Sequence, residues 1–157
     1  LAYATSNRGA CHLKADPYGD DFDGGPIEGK AKIVYESQNA VAAIDSTGIC
    51  LFPMAVWDLN DVAAQIEAAC GGGWTADRLV ETGERIWNLE RQFNLAAGLS
   101  GKDDTLPKRI LKEAAKSGSA KGKVAELGQM LPAYYELRGW DDDGVPTTQT
   151  LQRLAMT

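Results

Sequence analysis

The sequence contains few of the residues that most often carry chemistry or cross-links, with one histidine and three cysteines. Cys11, Cys50 and Cys70 are odd in number, lie far apart and form no C-x-x-C pair. This pattern argues against a disulfide framework and against a zinc site. We therefore expect a reducing, cytoplasmic compartment.

Long apolar runs and an excess of positive charge are also missing. No apolar run approaches the ~20 residues that a membrane-spanning helix needs. The formal net charge of −6 disfavours binding to nucleic acid or to an anionic membrane surface. With 157 residues, of which 44% are hydrophobic, the chain is long enough for one domain with a buried core.

Alternating strand patterns are absent, whereas apolar residues recur at helical spacing, so we predict an all-α, multihelical domain. Residues 1–29 are rich in glycine and aspartate and predict an irregular loop region before a helical part at 30–157. Residues 49–57 are interpreted as a buried connector or short helix, and 117–123 as a flexible linker. The predicted helices span residues 30–44, 61–70, 75–99, 107–114, 124–138 and 148–156.

Residues that suit helix ends accompany these segments. Asn60, Thr75, Asp104 or Thr105, and Thr147 are candidate N-caps, and Gly48 can end the first long helix.

The helix predicted over 75–99 carries one apolar stripe, which we expect to face the core. Glu84 and Arg91 are expected to lie away from it. The stripe consists of Leu79, Gly83, Ile86, Leu89, Phe93 and Ala97. We also expect an aromatic core of Trp87, Phe93, Tyr134, Tyr135 and Trp140.

His12 is the first candidate functional residue. It lies in a polar and basic loop, where an imidazole that titrates near neutral pH can reach a ligand. The alternative is an ordinary surface histidine, which the spacing alone favours. A Cys11–His12 nucleophile pair is less well supported, because no third residue is present to orient it.

The second candidate is the segment from Asp45 to Cys50, which combines a carboxylate, the small residue Gly48 and a thiol. Carboxylates accept N–H groups of heterocycles, and thiolates bind soft metals. The alternative is a helix end followed by a buried cysteine. Cys70, near the end of an alanine-rich helix, is interpreted as a packing residue.

Together these segments resemble the carboxyl-terminal part of the tungsten- and molybdenum-containing aldehyde ferredoxin oxidoreductase family. The stretches that carry the resemblance occur in the family's order and cover most of the chain. They are ATSNRGACHLKA (4–15), DSTGICLF (45–52), GERIWNLERQFNLAAGLSGKDDTLPKR (83–109), YYELRGWDDDGVPT (134–147) and the final leucine-bearing helix.

The resemblance implies roles for the second candidate segment. Asp45, Gly48, Ile49 and Cys50 match the family's pterin-binding motif D-x-x-G-hydrophobic-C. By that match Asp45 hydrogen-bonds a pterin ring, and Cys50 is the fourth ligand of a [4Fe–4S] cluster beside it. Such a thiolate gives electrons a short exit path from the pterin.

The loop around His12 resembles the family segment that reaches the metal. The match implies that His12 acts near the tungsten on the substrate oxygen and that Lys14 contacts the pterin. The implied reaction oxidises an aldehyde to a carboxylic acid at a bis-pterin tungsten or molybdenum centre, and two electrons pass through the cluster to ferredoxin.

The chain departs from the family in what it lacks. The three other cluster cysteines, spaced C-x-x-C-x-x-x-C, the amino-terminal cofactor-binding domain and the second pterin motif are absent, and the piece between His12 and Asp45 is short. We interpret the chain, which opens on Leu1, as a fragment whose partner is the remainder of its own polypeptide. We expect it to be inactive and to bind no cofactor alone.

Two other functions remain open from the sequence. One is a different substrate within the same family, of the aromatic-ring reductase type. The other is a helical interaction module that no longer performs redox chemistry.

Overall fold

A computed structural model of the protein describes residues 1–15 and 27–157, and these residues fold into a helical domain. They contain no β-strand, only three isolated bridges, which confirms the all-α prediction. No helix in the described ranges combines the length and apolarity needed to cross a bilayer. The α-helices are α1 (Ala2–Thr5), α2 (Lys30–Thr47), α3 (Leu59–Cys70), α4 (Ala76–Ala96), α5 (Lys108–Lys112), α6 (Leu127–Arg138) and α7 (Thr148–Arg153).

Capping residues account for several of these boundaries. Thr75 accepts a hydrogen bond from the backbone N–H of Arg78 and begins α4, and Thr147 begins α7 in the same way, as predicted. Gly48 ends α2 in the left-handed conformation, as predicted, although the helix runs to Thr47 and not only to residue 44. The prediction of Asn60 as a cap is wrong, because Asp58 forms a capping box with Asp61 and α3 therefore begins earlier.

The core lies where α2 packs against α4 and α6. At the α2–α4 crossing the two backbones touch, since a Cβ added at Gly83 would lie 1.9 Å from the carbonyl oxygen of Asn39. The main cluster of buried residues is Ala2, Ala15, Ala31, Val34, Ala42, Trp87, Tyr134, Tyr135 and Trp140. A second cluster of Ala43, Val62, Ala63 and Leu79 joins α2, α3 and α4.

The predicted apolar stripe of α4 is only half correct. Leu79 and Gly83 are buried, but Leu89 is 62% and Phe93 73% exposed. Phe93 therefore does not belong to the aromatic core. The residues of α4 that are buried are Leu79, Gly83, Glu84, Trp87, Asn88 and Arg91, so the helix turns a partly polar face inward.

The charged side chains of that face can be buried because each forms an ion pair with a residue of another segment. Arg91 makes a two-pronged ion pair with Asp104, at 3.0 and 2.8 Å, and Arg153 does the same for Glu84. Asp104 is thus an ion-pair partner, and neither Asp104 nor Thr105 is the predicted N-cap, because the N-cap position of α5 is Pro107. The helix that was predicted from 107 to 114 is the shorter α5, preceded by Pro107.

Arg138, the last residue of α6, is completely buried. Its guanidinium donates to the amide oxygens of Asn39 and Gln38, at 2.5 and 2.7 Å, and to the hydroxyl of Tyr134 at 3.0 Å. It also stacks on the rings of Tyr35 and Trp87. This network fastens α2 to α6.

Several local predictions fail for lack of long-range information. Residues 49–57 include a short 3₁₀ helix (Phe52–Ala55), one of the two predicted alternatives, but it has no buried side chain, so the alternative of a buried connector is wrong. Cys70 is exposed and so is not a packing residue. Within 1–29, predicted to be irregular, α1 forms and Ala2 is buried in the core. The acidic and glycine-rich part of that region, residues 16–26, lies outside the described residues.

The segment predicted as a flexible linker, 117–123, is hydrogen-bonded to the residues before it. The N–H of Ala115 donates to the carbonyl of Lys123, and the N–H of Gly122 donates back to Ala115. Gly118 and Gly122 both adopt positive φ, which their lack of a Cβ permits. Residues 117–123 thus have the composition of a linker but form a folded turn.

Candidate functional site

A cleft of about 850 Å³ lies between the loop after α1 and the end of α2. It brings together four of the six predicted site residues, His12, Lys14, Asp45 and Cys50, although more than thirty positions separate the two pairs. Helix α2 forms the second half of the sequence interval between the two pairs. The remaining wall is mostly apolar and includes Leu13, Val41, Ile44, Leu51, Phe52 and Met54.

The turn from Asp45 to Cys50 follows directly from how α2 ends. Gly48 adopts φ 77° as the C-cap, and its N–H donates to the carbonyl of Asp45 at 3.3 Å. The N–H of Ile49 donates to the hydroxyl of Thr47 at 3.1 Å, which fixes the next residue. The turn is therefore ordered by its own backbone, and any residue with a Cβ at position 48 is strained.

Ile49 and Cys50 point to different surroundings. Ile49 packs against the second buried cluster between α2, α3 and α4. Cys50, the next residue, is exposed and lines the cleft. The alternative of a buried, packing cysteine is thus excluded for this position. The packing of Ile49 therefore holds the thiol of Cys50 at the edge of the cleft.

Lys14 and Asp45 form an ion pair across the cleft, with 2.5 Å between Nζ and Oδ2. Asp45 lies in the last turn of α2, where the helix dipole is negative and where α2 has no basic residue of its own. Lys14 supplies the missing positive charge from the loop after α1. The carboxylate is 40% exposed, so it remains accessible as an acceptor.

His12 is exposed and lines the same cleft, with its ring centroid 6.3 Å from that of Tyr3. The loop that carries it is held by neighbours on α4, since Asn94 donates to the carbonyl of Asn7 at 2.7 Å. An imidazole in this position can exchange a proton with a group in the cleft.

Arg8 is the residue that sequence reasoning passed over. It lines the cleft and donates from Nε and Nη2 to Sγ of Cys11, at 3.3 and 3.1 Å. Burial raises the pKa of the Cys11 thiol, but the hydrogen bonds and charge of Arg8, together with hydrogen bonds from the backbone of Leu13 and Lys14, outweigh burial, so the pKa lies below its ordinary value. The available signal was the three-residue spacing of an arginine and a cysteine in one loop.

We expect Arg8→Ala to raise the pKa of Cys11 and to slow its alkylation at pH 7 by roughly threefold or more, because less thiolate is present. Mass spectrometry of iodoacetamide labelling against pH measures this. The exposed thiol of Cys70 in the same digest is the internal control. An unchanged pH profile for Cys11 would show that Arg8 does not stabilise its thiolate.

The described residues contain no group of three or more histidine, cysteine, aspartate or glutamate side chains able to hold a metal ion. The cleft therefore offers one thiol, one carboxylate, one imidazole, one ammonium and one guanidinium group, and no complete metal site among the described residues. Its chemistry suits one wall of a larger site.

Comparisons with known proteins agree with this incompleteness. The family described as "Aldehyde ferredoxin oxidoreductase, domains 2 & 3" matches residues 1–156. The tungsten-containing aldehyde ferredoxin oxidoreductase of Pyrococcus horikoshii is 41% identical over 165 residues, which cover 99% of this chain and 27% of that protein. The Thermococcus kodakarensis protein of the same name is 42% identical over 153 residues, which cover 92% and 25%. The chain thus spans about a quarter of the length of these relatives.

A solved structure is similar as well. The active-site complex BamBC of benzoyl coenzyme A reductase, in complex with 1,5-dienoyl-CoA, superposes with a TM-score of 0.67 at 25% identity. The match covers 83% of this chain and 19% of that one. The family and the relatives that match are named as oxidoreductases. The chain belongs to the aldehyde ferredoxin oxidoreductase family, as the sequence resemblance predicted.

Proposed function

We propose that the chain is the carboxyl-terminal part of a tungstopterin oxidoreductase and that its cleft forms one wall of the cofactor pocket. The observation that carries the proposal is the meeting of His12, Lys14, Asp45 and Cys50 in one cleft. Two of these residues precede α2 and two follow its main body, so their proximity is a property of the fold. The names of the tungsten-containing relatives support the same proposal.

The donor set fits such a cofactor pair from one side. Cys50 is an exposed thiol on a rigid turn, which suits a thiolate ligand of a [4Fe–4S] cluster. A cubane cluster needs four ligands, so the other three belong to a part of the polypeptide outside this chain. We accordingly propose that the isolated chain binds no stable cluster and is inactive.

Asp45 and Lys14 would hold the pterin edge. The carboxylate accepts N–H groups, which the pterin ring presents, and the ammonium group donates to its oxygens or phosphate. Gly48 keeps the turn free of a side chain, and Ile49 fixes the distance between carboxylate and thiol by its packing. When bound, the pterin metal centre supplies the oxidation of an aldehyde to a carboxylic acid, and the cluster supplies the route of two electrons to ferredoxin.

His12 would handle the proton of the substrate oxygen. Its exposed imidazole can donate to or accept from that oxygen, and Tyr3 limits the ring's movement on one side.

Metal analysis of the full-length protein that contains this chain tests the proposal. Purified without oxygen, it is expected to hold about four iron atoms and about one tungsten or molybdenum atom per chain. A folded, full-length protein without either metal would contradict the proposal and favour the helical interaction module instead.

A second candidate substrate class has an observation in its favour. The structural similarity to the benzoyl coenzyme A reductase complex suggests an aromatic-ring reductase. Dye-linked assays separate the two, because an aldehyde oxidase reduces oxidised viologen when aldehyde is added. A ring reductase instead oxidises reduced viologen when an aromatic thioester is added.

A further inference from the structure

The positive charge of this acidic chain is concentrated in one segment. Residues 108–123, here named the basic lobe, contain six of the sixteen lysines and arginines but only one of the twenty-two acidic residues, Glu113. The six are Lys108, Arg109, Lys112, Lys116, Lys121 and Lys123. The lobe therefore carries +5 on a chain whose net charge is −6, and the rest of the chain carries −11.

The backbone of the basic lobe is folded and is not a flexible linker. It starts as α5, and the N–H of Ala125, just beyond it, returns to the carbonyl of Ile110 at 3.0 Å. Between these points the bonds from Ala115 to Lys123 and from Gly122 to Ala115 close the turn. The charges are thus presented on a fixed backbone, which lowers the entropy lost when a partner binds.

All six cationic side chains are exposed. Among the described residues, no carboxylate forms an ion pair with Lys112, Lys116 or Lys121. The lobe also has an apolar centre, since Ile110 is 47% and the adjacent Val124 38% exposed. An apolar centre with a charged rim is the usual anatomy of a protein–protein interface.

This apolar centre lies near the loop that carries His12. A cleft of about 670 Å³ is lined by Ile110 and Val124 on one side and by Tyr3 and Ala10 on the other. Tyr3 is the ring neighbour of His12. The basic lobe therefore adjoins the loop that carries the proposed catalytic residue.

We propose that the basic lobe is the docking surface for a small acidic electron-carrier protein of the ferredoxin class. The inference rests on the proposed function, which requires such an acceptor. A negatively charged carrier is repelled by the −11 of the remaining chain and attracted by the +5 of the lobe. Steering of this kind sets both the rate and the orientation of encounter. A nucleic acid is disfavoured, because the long polyanion would also meet the acidic remainder.

Matched charge reversals test the proposal in the full-length protein. The lobe variant is Lys116→Glu with Lys121→Glu, and the control is Lys32→Glu with Arg85→Glu, two exposed positions on α2 and α4. Calorimetry with ferredoxin purified from the same cells gives the Kd at low ionic strength. We expect the Kd to rise about tenfold in the lobe variant and to change little in the control. At high salt the Kd values of the two variants should become similar, because the charges are screened.

Equal Kd values for the two variants, or no binding of ferredoxin by the unmodified protein, would overturn the docking proposal. So would a higher KM for aldehyde in the lobe variant with an unchanged ferredoxin Kd, because the lobe would then serve substrate entry. Failure of the proposed function has a different signature: no metal and no aldehyde-dependent viologen reduction, whatever the ferredoxin Kd. Viologen reduction by the lobe variant should match that of the unmodified protein.

Discussion

Replacing Cys50 with alanine is expected to abolish the iron–sulfur cluster in the full-length protein. The thiol is the one cysteine side chain in the cleft, and a cubane cluster left with three thiolates loses its fourth attachment. We expect iron to fall from about four atoms per chain to below about one, and aldehyde-dependent turnover to fall at least ~100-fold. Iron analysis and viologen-linked assays measure the two effects.

Cys70→Ala is the matched control, because Cys70 is also exposed and free but lies at the end of α3, outside the cleft. It should leave iron content and turnover unchanged. If Cys50→Ala retained a full complement of iron with normal turnover, the proposed role of Cys50 as a ligand would be wrong.

Replacing Gly83 with alanine is expected to destabilise the domain by about 3 kcal/mol, because no space exists for the added methyl group. The new Cβ would lie 1.9 Å from the carbonyl oxygen and 2.7 Å from the carbonyl carbon of Asn39. Backbone atoms cannot swing away as a side-chain tip can, so α2 and α4 must separate. For a chain of this length the unfolding midpoint should fall by about 10 °C.

Gly128→Ala is the control for this prediction. Gly128 also lies in a helix, α6, but a Cβ added there meets no atom within 4 Å. Its substitution should raise stability by up to about 1 kcal/mol through the higher helix propensity of alanine. Circular dichroism on heating compares the two. Equal midpoints would show that the α2–α4 contact is looser than described.

Much of the secondary structure could be predicted because its signals are local. Thr75 and Thr147 as caps, and Gly48 as a helix end, act through hydrogen bonds and φ angles within four residues. The all-α class follows from periodicity in the same way.

The orientation of α4 could not be predicted, because it depends on distant partners. Periodicity placed Phe93 in the core, whereas the structure buries Arg91 and Glu84. Arg91 finds Asp104 thirteen residues later, and Glu84 finds Arg153 at the far end of the chain. A pattern of apolar residues contains no information about such pairs, and burial of a charge depends on them.

The candidate site shows a similar division. Composition and spacing left His12 and Cys50 as ordinary residues, and only the resemblance to a family singled them out. The cleft joins them because the loop after α1 packs beside the end of α2, a long-range contact that no local pattern specifies. Arg8 was passed over because the three-residue spacing from Cys11 only suggests a contact, and side-chain geometry is needed to establish it.

The position of Cys50 at the junction of α2 and an exposed segment has a consequence for hydrogen exchange and cofactor loading. Amides of α2, packed on three helices, should exchange only when the whole domain unfolds. Amides of 51–57, which bury no side chain in their 3₁₀ turn, should exchange through local opening. Cys50, the proposed ligand, thus lies between a helix whose amides exchange slowly and a segment whose amides exchange rapidly. If Cys50 binds a cluster as proposed, local opening of residues 51–57 would give access to its thiol for insertion or repair of the cluster while the helical domain stays folded.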